Sequence, residues 1–306
     1  MTARVHRAPD GELFLAGGNN EVLRLYSTDG FAALVSPTDW QRRLAARDAF
    51  FGALGVPWRM LLAPEKLSVR GDGVVAALLG GGAVPPAARL AAAIGGEALT
   101  DPCGYLRAQE AAGHAMFMRT DSHWSPLGAF CGFQWAMAAL GLQLDFAPYL
   151  ELQDHQVEYR GDLWEERFAD LPPDRFHRRA VPDWISRVYA NPIVRLKERQ
   201  RREDDVGLHV GCHVAYRNAR AERPERLVLC GSSFSDHRAE CSLLTFVAAM
   251  FFREVHFIWS SDLDLDLIRR IAPDLALVEM PERFLTHCPA DRFDLAAHEQ
   301  AVAGGR

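Results

Sequence analysis

The sequence has little of what marks a zinc centre or a membrane protein. No two of its six cysteines form a Cys-x-x-Cys pair, which argues against a zinc site of that kind. No apolar run approaches the roughly 20 residues that cross a bilayer as a helix. The N-terminus, Met-Thr-Ala-Arg-Val-His-Arg-Ala-Pro-Asp, lacks the apolar core of a signal peptide. As written, the sequence therefore predicts a cytoplasmic protein.

An excess of one charge is missing as well. The 40 acidic and 34 basic residues are interspersed and leave a formal net charge of −6. This balance argues against a surface that binds nucleic acid. The glycine-rich turn at residues 17–20 is not followed by the Gly-Lys-Ser/Thr of a phosphate-binding loop. The sequence indicates no cofactor, and it leaves the oligomeric state open.

What the sequence does have is a large apolar fraction in alternating elements. Its 306 residues are 49% hydrophobic, enough for a sizeable core, and we predict a single domain over residues 1–306. After residue 207 the pattern forms two consecutive βαβ units, which favour a mostly parallel sheet between two layers of helices. The elements predicted there are a strand at 226–230, a helix at 236–252, a strand at 254–259, a helix at 263–271 and a strand at 274–279.

The first half of the chain predicts further elements of an α/β protein. Ser36 caps a helix that Gly55 ends. The start of the Gly-, Ala- and Pro-rich stretch 71–100 predicts a loop, and the pattern is weak from 142 to 205. The other predicted elements are strands at 13–15, 56–62, 97–100 and 115–118 and helices at 86–94, 103–112 and 126–140. Cys131 and Cys230 fall within predicted core elements, so we expect free buried thiols.

Two loops carry the residues that could perform chemistry. Asp121 and His123 lie between strand 115–118 and the following helix, and Ser233 lies in the turn after strand 226–230. Loops that follow strands are where α/β enzymes commonly place catalytic groups. Because a serine hydroxyl needs a base within reach, we predict Ser233 as nucleophile, His123 as base and Asp121 as the group that orients it. The Ser233 N–H would donate to an oxyanion.

The motifs around these residues resemble a known family. Thr-Asp-Ser-His-Trp at 120–124 is similar to its T-D-T-H-W segment, and Gly-Ser-Ser-Phe-Ser at 231–235 is similar to its G-D-S-F-S nucleophile turn. Both belong to the SGNH hydrolase-like domain of the alginate O-acetyltransferases AlgJ and AlgX. Further similar segments, in the family's order, lie at 10–15, 63–66, 216–218, 273–274 and 281–284. Ser232 departs from the family at the acidic residue before the nucleophile. Glu12 departs at a tryptophan, where we expect an effect on packing alone.

The resemblance implies a fold, a reaction and further site residues. It implies a three-layer α/β/α domain that transfers an acyl group, expected to be acetyl, to a carbohydrate hydroxyl. No acyl donor is indicated. Two alternatives remain, an SGNH-type esterase of carbohydrates or small esters and an inactive sugar-binding domain. The family acts outside the inner membrane, so a periplasmic location is the alternative if the N-terminus is incomplete. The substrate or oxyanion candidates that the resemblance implies are Arg217, Asn218, Tyr216, Arg283, Lys66 and Trp124.

Other pairs of acidic residues and histidines compete with the predicted one. Asp236 and His237 follow the nucleophile closely, but a base so near in sequence on one helix face rarely reaches it. His287 and Asp291 lie where many SGNH esterases carry a C-terminal pair, here in reversed order. We rank both below the Asp-x-His pair of the first loop.

Two further interpretations concern the Asp-x-His pair and the residues after the strand at 56–62. The Asp-x-His pair could join another histidine at a metal, but it gives only two ligands and no third is marked, so we predict no metal. Glu65 and Lys66 could line the site after their strand, or form a local surface ion pair.

Overall fold

A seven-stranded sheet forms the centre of the computed structural model, which describes residues 4–81, 84–152, 154–238 and 240–304. The strands are β1 (Val5–Arg7), β2 (Leu13–Leu15), β3 (Trp58–Ala63), β4 (Leu99–Thr100), β5 (Asp154–Tyr159), β6 (Asp174–Arg179), β7 (Ile185–Ala190), β8 (His213–Asn218), β9 (Arg223–Gly231), β10 (Phe252–Trp259) and β11 (Leu275–Pro281). The helices are α1 (Thr28–Leu34), α2 (Pro37–Leu54), α3 (Lys66–Arg70), α4 (Asp72–Leu79), α5 (Pro86–Ile94), α6 (Cys103–Ala111), α7 (Pro126–Ala139), α8 (Ala147–Leu150), α9 (Pro192–Gln200), α10 (Leu244–Phe251), α11 (Leu265–Ile271) and α12 (Leu295–Gly304).

The order of strands in the sheet is β4-β3-β11-β9-β10-β8-β7. The first five of these strands run parallel, while β8 is antiparallel to both β10 and β7. The predicted α/β fold with a mostly parallel sheet is confirmed. The β1–β2 and β5–β6 pairs form two separate antiparallel hairpins.

Apolar side chains on both faces of the sheet explain the layers. Along β9, Leu227 and Leu229 pack into one buried cluster, with α7 and α10. Val228 and Cys230, which alternate with them, pack into the other, with α2 and α11. A strand buried on both faces reads as a continuous apolar run, and this is why β9 was visible in the sequence.

The order in which the chain adds strands to the sheet reverses at β9, which makes the carboxyl end of β9 a topological switch point. From β9 the chain passes through α10 to β10 on one side, then through α11 to β11 on the other side of β9. Ligands of open α/β sheets bind outside the carboxyl ends of strands at such a switch point. Because β3, β11 and β9 are parallel neighbours, the segments that follow them leave the same edge of the sheet.

Several helices begin and end where the sequence predicts. Ser36 caps α2 through the Asp39 N–H, and Gly55 ends it with a φ of +67°. Ser125 caps α7 through the Gly128 N–H. Cys131 and Cys230 are buried free thiols, as predicted.

Three predicted elements are wrong. Residues 115–118 form no strand but a single bridge between Phe117 and Trp124. The helix predicted from 236 begins only at Leu244, after a turn in which Asp236 has a φ of +46°; residue 239 lies outside the described part. The predicted loop after 71 contains α4, and the weak stretch 142–205 contains the β5–β6 hairpin, β7 and α9.

Candidate active site

The structure brings Asp121, His123 and Ser233 into one hydrogen-bonded chain. The His123 Nε2 atom lies 2.7 Å from Ser233 Oγ, although 110 residues separate them. On the other side of the ring, Nδ1 lies 2.8 Å from Asp121 Oδ1. The Asp121 carboxylate also accepts a bond from the His123 backbone N–H, at 2.7 Å. These contacts join the two loops that the sequence singled out.

The loop that carries Asp121 and His123 is fixed by groups from distant segments. Asp174 accepts bonds of 2.8 Å from the backbone N–H groups of Arg119 and Thr120. Asp162 accepts bonds from the Ser122 N–H, at 2.7 Å, and hydroxyl, at 2.8 Å. The loop thus needs no strand of its own to hold its shape.

Tyr159 and Asp162 are site residues that the sequence did not reveal. The Tyr159 hydroxyl donates to Asp121 Oδ2 at 2.7 Å, so the second carboxylate oxygen is also occupied. Asp162 Oδ1 lies 4.0 Å from His123 Nδ1. Both come from the weakly patterned stretch after residue 142, which gave no signal for them.

The environment shifts both pKa values of the Asp121–His123 pair. Burial would raise the pKa of Asp121, but the charge and hydrogen bonds of His123 lower it below its ordinary value. Burial would lower the pKa of His123, but the charge and hydrogen bond of Asp121 raise it above 6.5. Each partner thus stabilises the ionised form of the other. The carboxylate is ionised and can stabilise an imidazolium that forms next to it.

Arg283 is the candidate cation that the structure places at the site. It follows β11, and its guanidinium Nη1 binds both oxygens of Glu65 at 3.0 and 3.1 Å. The guanidinium carbon lies 5.7 Å from the centre of the Phe234 ring, which in turn lies 4.9 Å from the His123 ring. Its charge also acts to lower the pKa of His123. Glu65 is thus neither a free site residue nor a surface ion partner of Lys66.

A known sequence family matches most of this chain. The family described as the SGNH hydrolase-like domain of acetyltransferase AlgX matches residues 32–259. The chain belongs to this family. The resemblance read from the motifs is therefore confirmed, and membership supports an enzyme of the acetyltransferase or esterase type. Among curated proteins, none matches the chain.

Solved structures share the fold of this AlgX-type domain at low identity. The O-acetyltransferase domain of Pseudomonas putida AlgJ is 18% identical, with a TM-score of 0.55 over 99% of this chain and 100% of that one. A DHHW family protein from Eubacterium siraeum is 12% identical, with a TM-score of 0.58 over 81% and 86%. Bacillus cereus PatB1 with a sulfonyl adduct is 12% identical, with a TM-score of 0.57 over 92% and 96%. At these identities the likeness shows the fold alone.

Arg217 and Asn218 do not lie at the AlgX-type site, which corrects their expected role at the oxyanion. Arg217 pairs with Glu254 at 3.0 Å, and the register places Glu254 beside Arg226. Ser233 follows the other end of β9, about 17 Å from Arg226 along the strand at 3.3–3.4 Å per residue. The Asn218 amide is buried and donates to two carbonyls at the end of α10. The family's order of motifs did not reveal that β8 runs antiparallel.

Tyr216 and Trp124 are packing residues rather than exposed contacts for a substrate. The buried Tyr216 hydroxyl donates to the His237 carbonyl at 2.9 Å. Trp124 is 1% exposed and packs edge-on against Phe234, with ring centres 5.1 Å apart. The Tyr216 hydroxyl is already bonded, and the Trp124 indole N–H is buried without a hydrogen-bond partner among the described residues. Neither side chain is exposed to a substrate, so the expectation of a substrate contact is corrected for both.

Lys66 holds the backbone that leads into the Asp121–His123 loop. Its buried ammonium donates to the carbonyls of Met118, at 2.6 Å, and Arg119, at 2.8 Å. It also forms an ion pair of 2.6 Å with Glu12. Burial lowers the pKa of Lys66, and the charge of Glu12 opposes this. Lys66 is therefore not exposed to substrate, and Glu12 affects more than packing because it balances a buried charge.

The competing pairs have other partners. His237 Nδ1 lies 2.6 Å from Asp236, whose second oxygen binds Arg238. Asp291 forms a buried ion pair with Arg47 of α2, at 2.8 Å, so it does not orient His287. Neither arrangement supplies a hydrogen bond to Ser233.

A possible set of metal ligands overlaps the same site. Within the described ranges, the atoms that could hold an ion belong to Asp121, His123 and Asp162, so the third group is a carboxylate and not the histidine considered above. Each group already has a partner, since both ring nitrogens of His123 are bonded and Asp162 binds Ser122.

In the described part of the chain, no helix is long and apolar enough to cross a membrane.

Removing the charge of Arg283 should move the pH profile of the site. With His123 as the predicted base, its neutral form is the active one, and kcat/KM is expected to rise as the pH passes upward through the pKa of His123. In Arg283→Met, the pKa of His123 rises further because a nearby cation is lost, and the acidic limb shifts to higher pH. Ester turnover measured between pH 5 and 9 tests this. Arg283→Lys keeps the charge and should keep the limb near its native position; an unchanged limb in Arg283→Met would contradict the assignment.

Proposed function

We propose that this chain is a serine-dependent O-acetyltransferase. It would move an acetyl group to a carbohydrate hydroxyl through an acyl-Ser233 intermediate. The observation that carries the proposal is the continuous chain from Ser233 Oγ through His123 to Asp121, with contacts of 2.7 and 2.8 Å. A hydroxyl within 2.6–3.2 Å of an oriented imidazole is the arrangement that activates a serine.

In the first half-reaction, Ser233 Oγ attacks the carbonyl carbon of the acetyl donor. The hydroxyl proton passes to His123 Nε2, and Asp121 stabilises the imidazolium. The donor's leaving group then departs with that proton, which leaves an acetyl ester on Ser233. The Ser233 N–H donates to the oxyanion, and we propose Arg283, whose guanidinium carbon lies 5.7 Å from the centre of the Phe234 ring, as the second donor.

In the second half-reaction, an acceptor hydroxyl gives its proton to His123 Nε2. Its oxygen attacks the acetyl carbon, and Ser233 Oγ leaves and regains the proton. If the acceptor is a sugar, the enzyme is a transferase; if it is water, the same intermediate yields an esterase. A sugar is proposed because the chain belongs to the AlgX family. The same family resemblance supports action in the periplasm rather than the cytoplasm.

The test is the covalent state of Ser233 after reaction with an activated acetyl ester and with a sulfonyl fluoride. A sulfonyl adduct is present in the solved PatB1 structure, which supports the choice of reagent. Intact mass should show one acetyl or one sulfonyl group on the native chain and none on Ser233→Ala. The exposed Ser186 provides a control, since Ser186→Ala should react like the native chain.

Adding carbohydrate acceptors then separates the alternatives. Acetyl found on a sugar supports the transferase, and free acetate formed at the same rate with and without sugars supports the esterase. A folded native chain that forms no adduct with either reagent contradicts both and leaves a binding domain.

A further inference from the structure

A buried carboxylate lies directly beneath the turn that carries Ser233. Glu279 belongs to β11, is 0% exposed, and accepts bonds from two residues of the turn. The Ser232 N–H donates to Oε2 at 2.8 Å, and the Ser232 hydroxyl lies 2.8 Å from Oε1 and 3.0 Å from Oε2. The Ser235 hydroxyl donates to Oε2 at 2.9 Å. The residues on either side of Ser233 and Phe234 are thus both fixed to one group.

The hydroxyl of Ser232 has two roles that few side chains can combine. It donates to Glu279, and it accepts a bond of 3.3 Å from the Phe234 N–H. A hydroxyl is both donor and acceptor, whereas a carboxylate only accepts. Position 232 therefore requires a donor as long as Glu279 is ionised.

The fit between the turn and the carboxylate leaves no spare room. A Cβ atom added at Gly231 would lie 2.6 Å from Glu279 Oε2 and 2.7 Å from Ser235 Oγ. Burial raises the pKa of Glu279, while the bonds from Ser232 and Ser235 oppose the rise. A buried acid whose partners all lie in one turn restrains that turn, because any displacement leaves it without partners.

We propose that Glu279 is the positioning residue of the nucleophile turn and that Ser232 is matched to it as its donor. The inference rests on the proposed function for the identity of the nucleophile. It also bears on Ser232, which stands where the resembled motif has an aspartate: an aspartate here would place a second carboxylate about 3 Å from Glu279, and like charges so close cannot both ionise.

The test is a double-mutant cycle between these two positions. Ser232→Asp should lower kcat for an activated acetyl ester by about 10²-fold, the cost of a small misplacement of a reacting group, with KM little changed. Glu279→Gln alone should also lower kcat, since one acceptor oxygen is lost. The double variant S232D/E279Q should recover most of the loss, because the amide can donate to the new carboxylate.

A matched control separates positioning from general stability. Asp291→Asn removes another buried carboxylate, one that binds Arg43, Arg47 and the Leu263 N–H and has no hydrogen bond to the turn among the described residues; it should lower the melting temperature and leave kcat near native. Ser235→Ala removes one donor to Glu279 and should have a smaller effect on kcat than either change in the cycle. A native kcat in Ser232→Asp, or a double variant as impaired as the product of the two single changes, would overturn the proposal.

The same variants distinguish a failure of this inference from a failure of the proposed function. If the native chain forms the sulfonyl adduct but turns over no ester, the rate of adduct formation replaces kcat in the cycle. If no adduct forms at all, the proposed function fails, while melting temperatures still test the pairing. Ser232→Asp should then have a lower melting temperature than the native chain, and S232D/E279Q should recover most of that loss. Equal melting temperatures for Ser232→Asp and the native chain would reject the pairing of Glu279 with position 232.

Discussion

His123→Ala is expected to lower kcat for an activated acetyl ester by about 10⁶-fold, as the loss of the base does in other serine enzymes. The reason is that Nε2 lies 2.7 Å from Ser233 Oγ, and in the proposed mechanism it takes the hydroxyl proton during attack. Stopped assays with long incubation and a mass measurement of the adduct would both show the loss. KM should change little, because the ring binds the proton rather than the substrate.

His237→Ala is the control for this result. His237 is a buried histidine close to Ser233 in sequence; its Nδ1 lies 2.6 Å from the Asp236 carboxylate, and among the described residues its ring has no hydrogen bond to the nucleophile. We expect a modest loss of stability and a kcat near native. If the two histidine variants lost activity equally, the base would be misassigned.

Asp291→Asn is expected to lower the free energy of unfolding by about 3–5 kcal/mol, the usual cost of removing one partner of a buried ion pair. Asp291 receives Arg47 Nε at 2.9 Å and Nη2 at 2.8 Å, and Arg47 is 1% exposed. Without the carboxylate, the guanidinium would be buried and uncompensated. Asparagine tolerates the φ of +54° at this position, so the change removes mainly the charge.

Urea unfolding of Asp266→Asn provides the comparison. Asp266 also pairs with an arginine, Arg269, at 2.6 Å, but both side chains are more than half exposed. An exposed pair contributes only about 0–1 kcal/mol. A loss for Asp291→Asn no larger than for Asp266→Asn would show that the buried pair does not stabilise the fold.

The sequence predicts the central residues of the site because their pattern is local. Each lies on a loop next to a strong apolar element, and Gly231 and Ser125 mark where the neighbouring strand ends and helix begins. A base, a nucleophile and an acid can be recognised by type and position even without their distances. Their mutual geometry depends on the order of strands in the sheet, which periodicity does not encode.

The remaining site residues could not be predicted, because what places them is tertiary. Tyr159 and Asp162 come from a hairpin and loop of polar residues without clear periodicity. Glu279 left one signal, a carboxylate inside the apolar strand Leu-Ala-Leu-Val-Glu-Met-Pro, since a buried charge needs partners. Arg217 was misplaced because a motif's order in the chain does not tell which end of the sheet it occupies.

The position of β9 between β11 and β10 also links the chemistry to the folding of the chain. Closing a loop of this length costs entropy that the growing sheet must offset, so we expect the contact between His123 and Ser233, 110 residues apart, to form late in folding. Ser233, the proposed nucleophile, would meet its base only once the parallel core has assembled on both sides of β9. The rate of sulfonyl labelling during refolding would therefore follow the appearance of the native sheet. Partly folded chains would not be acylated at Ser233.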